Sequence, residues 1–167
     1  FVGHAVAKVE DRAHVTGRTE YLDNFVMPGM LHCAILRSPF PHARIKSVDT
    51  SRASKLPGVA AVLTGKDALL WSFPSSTVPE GWGTHCLATE KVRYVGEPVA
   101  AVAAVDRYVA EDALELIEVD YEPLEPVVDP RKAKEPGATL VHEERGSNVM
   151  LHRTFTWGEV DRAFAEA

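Results

Sequence analysis

Apolar and polar positions recur along this chain with two different periods, and the changes of period mark out its elements. Residues 31–37 form a strand candidate that ends at Ser38-Pro39-Phe40-Pro41, because two prolines cannot donate to a ladder. Residues 43–49 alternate in the strand sense, with Ala43, Ile45 and Ser47 expected on one side. Asp49, Thr50 and Ser51 offer N-caps for a short helix reaching Leu56, which Pro57-Gly58 ends. Residues 59–63 then predict a compact buried strand, followed by a turn over Thr64-Gly65-Lys66-Asp67 that opens one helical turn.

Periodicity disappears between Trp71 and Thr84 and returns with residues 91–96. Residues 98–105 are apolar throughout and predict a central strand. Asp106 caps the clearest helix, whose stripe is Ala110, Ala113, Leu114 and Ile117, with Arg107, Glu111, Asp112 and Glu115 facing water. Val119 and Tyr121 continue as a strand that Pro123 and Pro126 close. A short polar helix is expected after Asp129-Pro130, then brief strands at 139–141 and around Val149, Leu151 and Phe155. Val160, Ala163, Phe164 and Ala167 follow helical spacing. Their stripe reaches Ala167 with no glycine cap or basic last turn, as expected of a helix that continues or that a partner covers. Strands and helices alternate too irregularly for a doubly wound parallel sheet, so the expected class is α+β, with a mixed sheet and two to four short helices.

Composition narrows the functions open to such a domain. The chain has 167 residues, 46% hydrophobic and 25% charged, which suits a globular domain with its own core. With a net charge of −6 and no basic cluster longer than Arg131-Lys132, it offers no stripe for nucleic acid. No apolar run approaches the ~18–20 residues of a membrane span. No secretory signal is visible either, so the expected compartment is the cytoplasm. Two distant cysteines, Cys33 and Cys86, are expected to be free and largely buried.

The tests for chemistry mostly fail. His32-Cys33 and His85-Cys86 are adjacent pairs, and neighbours on a strand point to opposite faces, so neither has zinc-ligand spacing. Ser75-Ser76 has no obvious base, and a hydrolase built on Cys86 or Ser75 is a remote alternative. Glu143-Glu144 falls where a solvated face is expected, and no phosphate-binding glycine pattern is present. What remains is the aromatic-rich loop carrying Trp71, Phe73 and Trp82, which must pack on its own domain or contact a partner or ligand.

Several phrases together resemble one family. Val15-Thr16-Gly17 is followed by Tyr21 and Asp23, and Leu36-Arg37-Ser38-Pro39 leads to His42-Ala43-Arg44-Ile45. Leu56-Pro57-Gly58-Val59 runs into Val62-Leu63-Thr64-Gly65. Lys91-Val92-Arg93-Tyr94-Val95-Gly96-Glu97-Pro98-Val99-Ala100 comes next, and Val119-Asp120-Tyr121-Glu122-Pro123-Leu124 follows the Asp106 helix. In this order they resemble the opening of the molybdenum-binding large subunit in the xanthine dehydrogenase/aldehyde oxidase family of molybdenum hydroxylases. Phe155-Thr156-Trp157-Gly158 leans toward its carbon monoxide dehydrogenase-like branch.

The resemblance implies an α/β hammerhead domain over residues 1–155, with residues 156–167 starting a connecting helix toward cofactor-binding domains. It also implies a complex carrying molybdopterin cytosine dinucleotide, two [2Fe–2S] clusters and FAD. The partners would be the remaining molybdenum-subunit domains, an iron–sulfur subunit and a FAD subunit. The complex would hydroxylate a small (hetero)aromatic, aldehyde or related substrate with oxygen from water. This chain would carry no catalytic, cofactor-binding or metal-binding residue. By the same resemblance, Trp82, His85 and Phe73 are the candidate substrate-channel residues. The alternative is a stand-alone ligand- or protein-binding module on the same fold. Arg37 and Arg44 are expected to pair with Glu97, Glu122 or Asp120 at a seam, and Gly96 to permit a close backbone approach.

Overall fold

The computed structural model describes residues 2–70 and 78–167, which divide into two compact units, Phe1–Leu31 and His32–Ala167. The smaller unit holds α1 (Asp11–Val15) and a 3-10 turn at Leu22–Asn24, neither with a buried residue. Its turns follow the expected chemistry. Thr16 donates its hydroxyl to the Arg12 carbonyl at 2.7 Å, and Gly17 takes φ +66°, a region side chains avoid.

The larger unit contains six strands among the described residues: β1 (His32–Arg37), β2 (Ala43–Asp49), β3 (Val59–Thr64), β4 (Lys91–Val92), β5 (Pro98–Ala104) and β6 (Glu118–Pro123). Three helices accompany them: α2 (Gly65–Ala68), α3 (Arg107–Glu115) and α4 (Val160–Glu166). The α+β class holds. All pairings are antiparallel, and they divide between two sheets, ordered β1-β5-β3 and β4-β2-β6.

The centre of the first sheet is β5, as its sequence predicts. Val99, Ala100, Val102 and Ala104 are wholly buried. Small side chains at Ala100 and Ala104 let α3 lie close, and α3 is capped as expected, with the Asp106 carboxylate accepting from the Val109 N–H at 2.8 Å. Ala53, Ala100, Val102, Ala113 and Ile117 form one core, and Ala43, Ala88, Val92 and Val99 a second. Val48 and Val119 pack against both and so join the two sheets.

Several expectations are corrected. The strand at β3 is an edge with only alternate positions half-covered, not a buried strand. On the face turned away from α3, Cys33, Ala103 and Ala61 lie opposite one another, and beside them Ile35, Ala101 and Leu63. Cys33 is therefore exposed, as is Cys86, although both are free thiols as expected. In β2 a bulge between Ile45 and Ser47 shifts the register against β6, so that Val48 rather than Ser47 returns to the core side. The expected helix to Leu56 is a single 3-10 turn, Ala53–Lys55, after an Asx turn in which Asp49 accepts from the Ser51 N–H at 2.8 Å.

Close backbone approach belongs to Gly65, not Gly96. A Cβ on Gly65 would sit 2.0 Å from the Ala88 carbonyl oxygen, whereas Gly96 has open space and needs glycine only for its φ of +90°. No strand forms at 139–141 or 149–155. There the Asn148 side chain takes the ladder's place. Its Oδ1 accepts from the Val141 N–H at 2.9 Å, and its Nδ2 donates to the carbonyls of Ala133 and Thr139 at 3.0 and 2.8 Å.

Candidate functional site

One group of ionic residues in the larger unit converges beside β4. Lys91 lies within that strand, and its side chain is only 7% exposed. Arg93 follows directly and turns back on Glu97, whose carboxylate accepts from the Arg93 N–H and lies 3.8 Å from the guanidinium. Glu97 is almost wholly buried where the chain enters β5. Burial pushes its pKa above the ordinary carboxylate value, against the pull of the Arg93 N–H and the Arg93 charge.

A second group comes from the turn at residues 142–145, and each of its four side chains has a partner. Glu143 accepts two hydrogen bonds from Arg44 of β2, at 3.1 and 3.2 Å, and faces the Lys91 ammonium at 3.9 Å. Glu144 bonds the Nδ1 of His142 at 3.2 Å. Arg145 donates to the Gly81 carbonyl, and His142 meets the Trp82 ring at a centroid distance of 5.2 Å. Burial, with the Arg93 charge behind it, lowers the pKa of His142; Glu144 opposes the shift. Lys91 is lowered by burial too, and among the described residues its ammonium has no hydrogen-bond acceptor within reach. The expected seam pairs are thus replaced: Arg44 bonds Glu143, Arg37 donates to the Gly96 carbonyl at 2.9 Å, and Glu97 belongs to Arg93.

Trp82 and His85 stand on either side of this group. Trp82 is half-buried and walls a cleft of about 340 Å³ with Val127, Pro130, Ala133, Val141 and Met150. His85, also half-buried, lines a narrower polar cleft of about 80 Å³ with Arg93, Glu97 and Glu144. His142 lines both clefts. Phe73, like Ser75, lies outside the described residues. Sequence reasoning left Glu143-Glu144 on a solvated face, but Glu143 holds two basic residues of different strands. The signal available was His142-Glu143-Glu144-Arg145 closing on Gly146, four side chains able to pair, two residues before Asn148.

The chemistry of this cluster is that of orientation. Three cations (Arg44, Lys91, Arg93) face three carboxylates (Glu97, Glu143, Glu144), while Arg145 donates to the Gly81 carbonyl. Among the described residues no three His, Cys, Asp or Glu side chains are placed to hold a metal ion. Two cysteines cannot supply the four thiolates of a [2Fe–2S] cluster, so the residues present do not fit one. No helix among the described residues is long and apolar enough to cross a membrane.

Comparison with known proteins gives one consistent result. The profile of the family described as "Aldehyde oxidase and xanthine dehydrogenase, a/b hammerhead domain" matches residues 16–125. The carbon monoxide dehydrogenase large chain of Afipia carboxidovorans is 49% identical over 96% of this chain and 21% of its own length. The nicotine 6-hydroxylase large subunit of Paenarthrobacter nicotinovorans is 40% identical over 99% of this chain and 21% of its own. Among solved structures, quinoline 2-oxidoreductase from Pseudomonas putida 86 superposes with a TM-score of 0.79 at 41% identity, covering 89% of this chain and 20% of that one. The chain therefore spans about a fifth of the length of the relatives it matches.

Proposed function

The chain belongs to the aldehyde oxidase and xanthine dehydrogenase a/b hammerhead-domain family, and from that premise we propose that it works as the opening module of a molybdenum hydroxylase large subunit. In this reading residues 1–155 are the hammerhead module and residues 156–167 connect it to cofactor-binding domains. The complex hydroxylates a small (hetero)aromatic, aldehyde or related substrate with oxygen from water. Molybdopterin cytosine dinucleotide, two [2Fe–2S] clusters and FAD reside on other domains and on iron–sulfur and FAD subunits. The cysteine count supports that division, since this chain has too few thiolates for even one cluster. Two free cysteines also suit a reducing cytoplasm.

The observation that carries the reading is the family match across 16–125 by a chain that spans a fifth of its relatives. Within the module, Trp82 and His85, with Phe73 beside them in sequence, line the approach of substrate. The open cleft walled by Trp82 supports this. Relatives named for carbon monoxide, nicotine and quinoline have this domain in common at 40–49% identity. A scaffold held in common by such different molecules leaves their discrimination to a few side chains at the channel, and a bulky indole favours planar substrates.

The test is native purification with metal and flavin analysis, followed by turnover with carbon monoxide, nicotine and quinoline. Molybdenum, iron and FAD should co-purify with larger polypeptides, and Trp82→Ala should raise KM for the preferred substrate about tenfold while widening the range accepted. A lone chain without metal or flavin would overturn the reading in favour of a stand-alone binding module.

A further inference from the structure

The turn at residues 142–145 spends all four of its side chains on contacts, and those contacts lead in two directions. One leads to the sheet. Glu143 bonds Arg44 of β2 and faces Lys91 of β4, so a single carboxylate spans two strands. The other leads to the loop before β4: Arg145 holds the Gly81 carbonyl and His142 meets the Trp82 ring. Behind the turn, Asn148 closes residues 141–148 into a stitched loop through the Val141 N–H and the carbonyls of Ala133 and Thr139. We infer that His142, Glu143 and Arg145 form a clasp that positions the Trp82 loop from the β4-β2-β6 sheet, with Glu143 as its anchor and Arg145 and His142 as its grip.

Three observations carry the inference. Gly81 fits the grip twice over. Its φ of +80° is a conformation that favours glycine, and the missing Cβ leaves room where the Arg145 guanidinium lies, 1.8 Å from where a Cβ would be; a larger residue would make that side chain shift. Among the described residues, the loop around Trp82 has little regular structure of its own, and the backbone bond within it runs from the Trp82 N–H to the Pro79 carbonyl at 3.0 Å. The anchor also meets a real demand: Lys91 is buried and has no hydrogen-bond acceptor among the described residues, so Glu143 is the carboxylate that answers its charge. His142, Glu143 and Arg145 are positioning residues. They set where the indole stands and take no part in chemistry.

The consequence for channel width rests on the reading of Trp82 as a channel residue; the clasp itself does not. Backbone hydrogen exchange by mass spectrometry, on the assembled protein, reads the loop locally whatever the size of the complex. Arg145→Ala should speed exchange in peptides covering residues 80–85 by roughly threefold to tenfold, as loss of a charge-assisted bond to a single carbonyl would. Arg145→Lys, which keeps a donor, should fall between that variant and wild type. The decisive variant is Glu143→Gln. Its partners are Arg44 and Lys91 rather than residues 80–85, so faster exchange in those peptides must be transmitted through the turn.

Peptides from β5 serve as the folding control and should not change. Unchanged exchange at 80–85 in either the Arg145→Ala or the Glu143→Gln variant would overturn the clasp. Kinetics then separate the two claims. A raised KM with kcat held, for whichever of carbon monoxide, nicotine or quinoline the wild type oxidises, is the expected result. Faster exchange with unaltered kinetics would remove Trp82 from the channel and leave the clasp standing.

Discussion

The sheet β1-β5-β3 with α3 and the loops around Trp82 and Asn148 are built on opposite plans. In the first, backbone ladders and an alanine–valine core do the holding, and polar side chains serve mainly as caps. In the second, among the described residues, ladders are absent and side chains bond to backbone or to one another: Asn148 to three main-chain groups, Arg145 to Gly81, Glu143 to Arg44. A ladder spreads its free energy over many equivalent bonds. A stitched loop concentrates it in a few residues, each of which can be exchanged without collapse of the core.

The contrast can be broken most severely where the two plans touch. Gly65 passes the backbone of Ala88 and Thr89 so closely that Gly65→Ala should cost about 3 kcal/mol and lower the midpoint of global unfolding by denaturant. A loss under 1 kcal/mol would mean that the two segments separate freely. Asn148→Ala should cost about 2 kcal/mol, from three hydrogen bonds of modest net value, and only locally. Exchange should quicken over residues 133–148 while β5 keeps its protection; a uniform rise would erase the distinction between the plans.

The smallest expected effect is that of pH. His142 has its pKa held below 6.5 in the folded protein, so the unfolded chain binds the proton more readily. Its contribution is complete above pH 6.5 and is lost as pH falls through the folded value. Glu97, shifted upward, works the other way, its contribution being present at acid pH and lost as pH rises above 4.5. Unfolding measured from pH 7.5 downward should therefore show a weakening that His142→Gln flattens. An identical profile in the variant would assign the loss to another group.

The ladder-built region was largely legible in the sequence and the stitched region was not. An unbroken run of valine, alanine and proline, followed by Asp106 and a helical stripe, specified β5 and α3 nearly to the residue. Cys33 went astray because alternation assigns residues to faces without saying which face is covered, and its row with Ala103 and Ala61 is the open one. Residues 139–141 have a strand's composition, yet their partner is a single asparagine, a local contact that period-two reasoning does not register. Composition and resemblance single out Trp82 and His85. His142, Glu143 and Arg145 were passed over because ion pairs on an exposed turn look the same in sequence whether or not they bridge anything.

The bulge in β2 has a consequence for chain length. On β6 the core-side residues Tyr121 and Val119 are two apart, whereas their β2 counterparts Ile45 and Val48 are three apart. The strand thus carries one residue more than its pairing needs, and Lys46 occupies that surplus position. Removal of Lys46 would leave Ile45 opposite Tyr121 and Val48 opposite Val119, with a regular ladder between them. Removal of Ser47 would leave the same register with Lys46 opposite Asp120, whereas removal of Val48 would put a polar residue in its place opposite Val119. Loss of one codon is therefore silent to the core at Lys46 or Ser47 and disruptive at Val48 just beyond them.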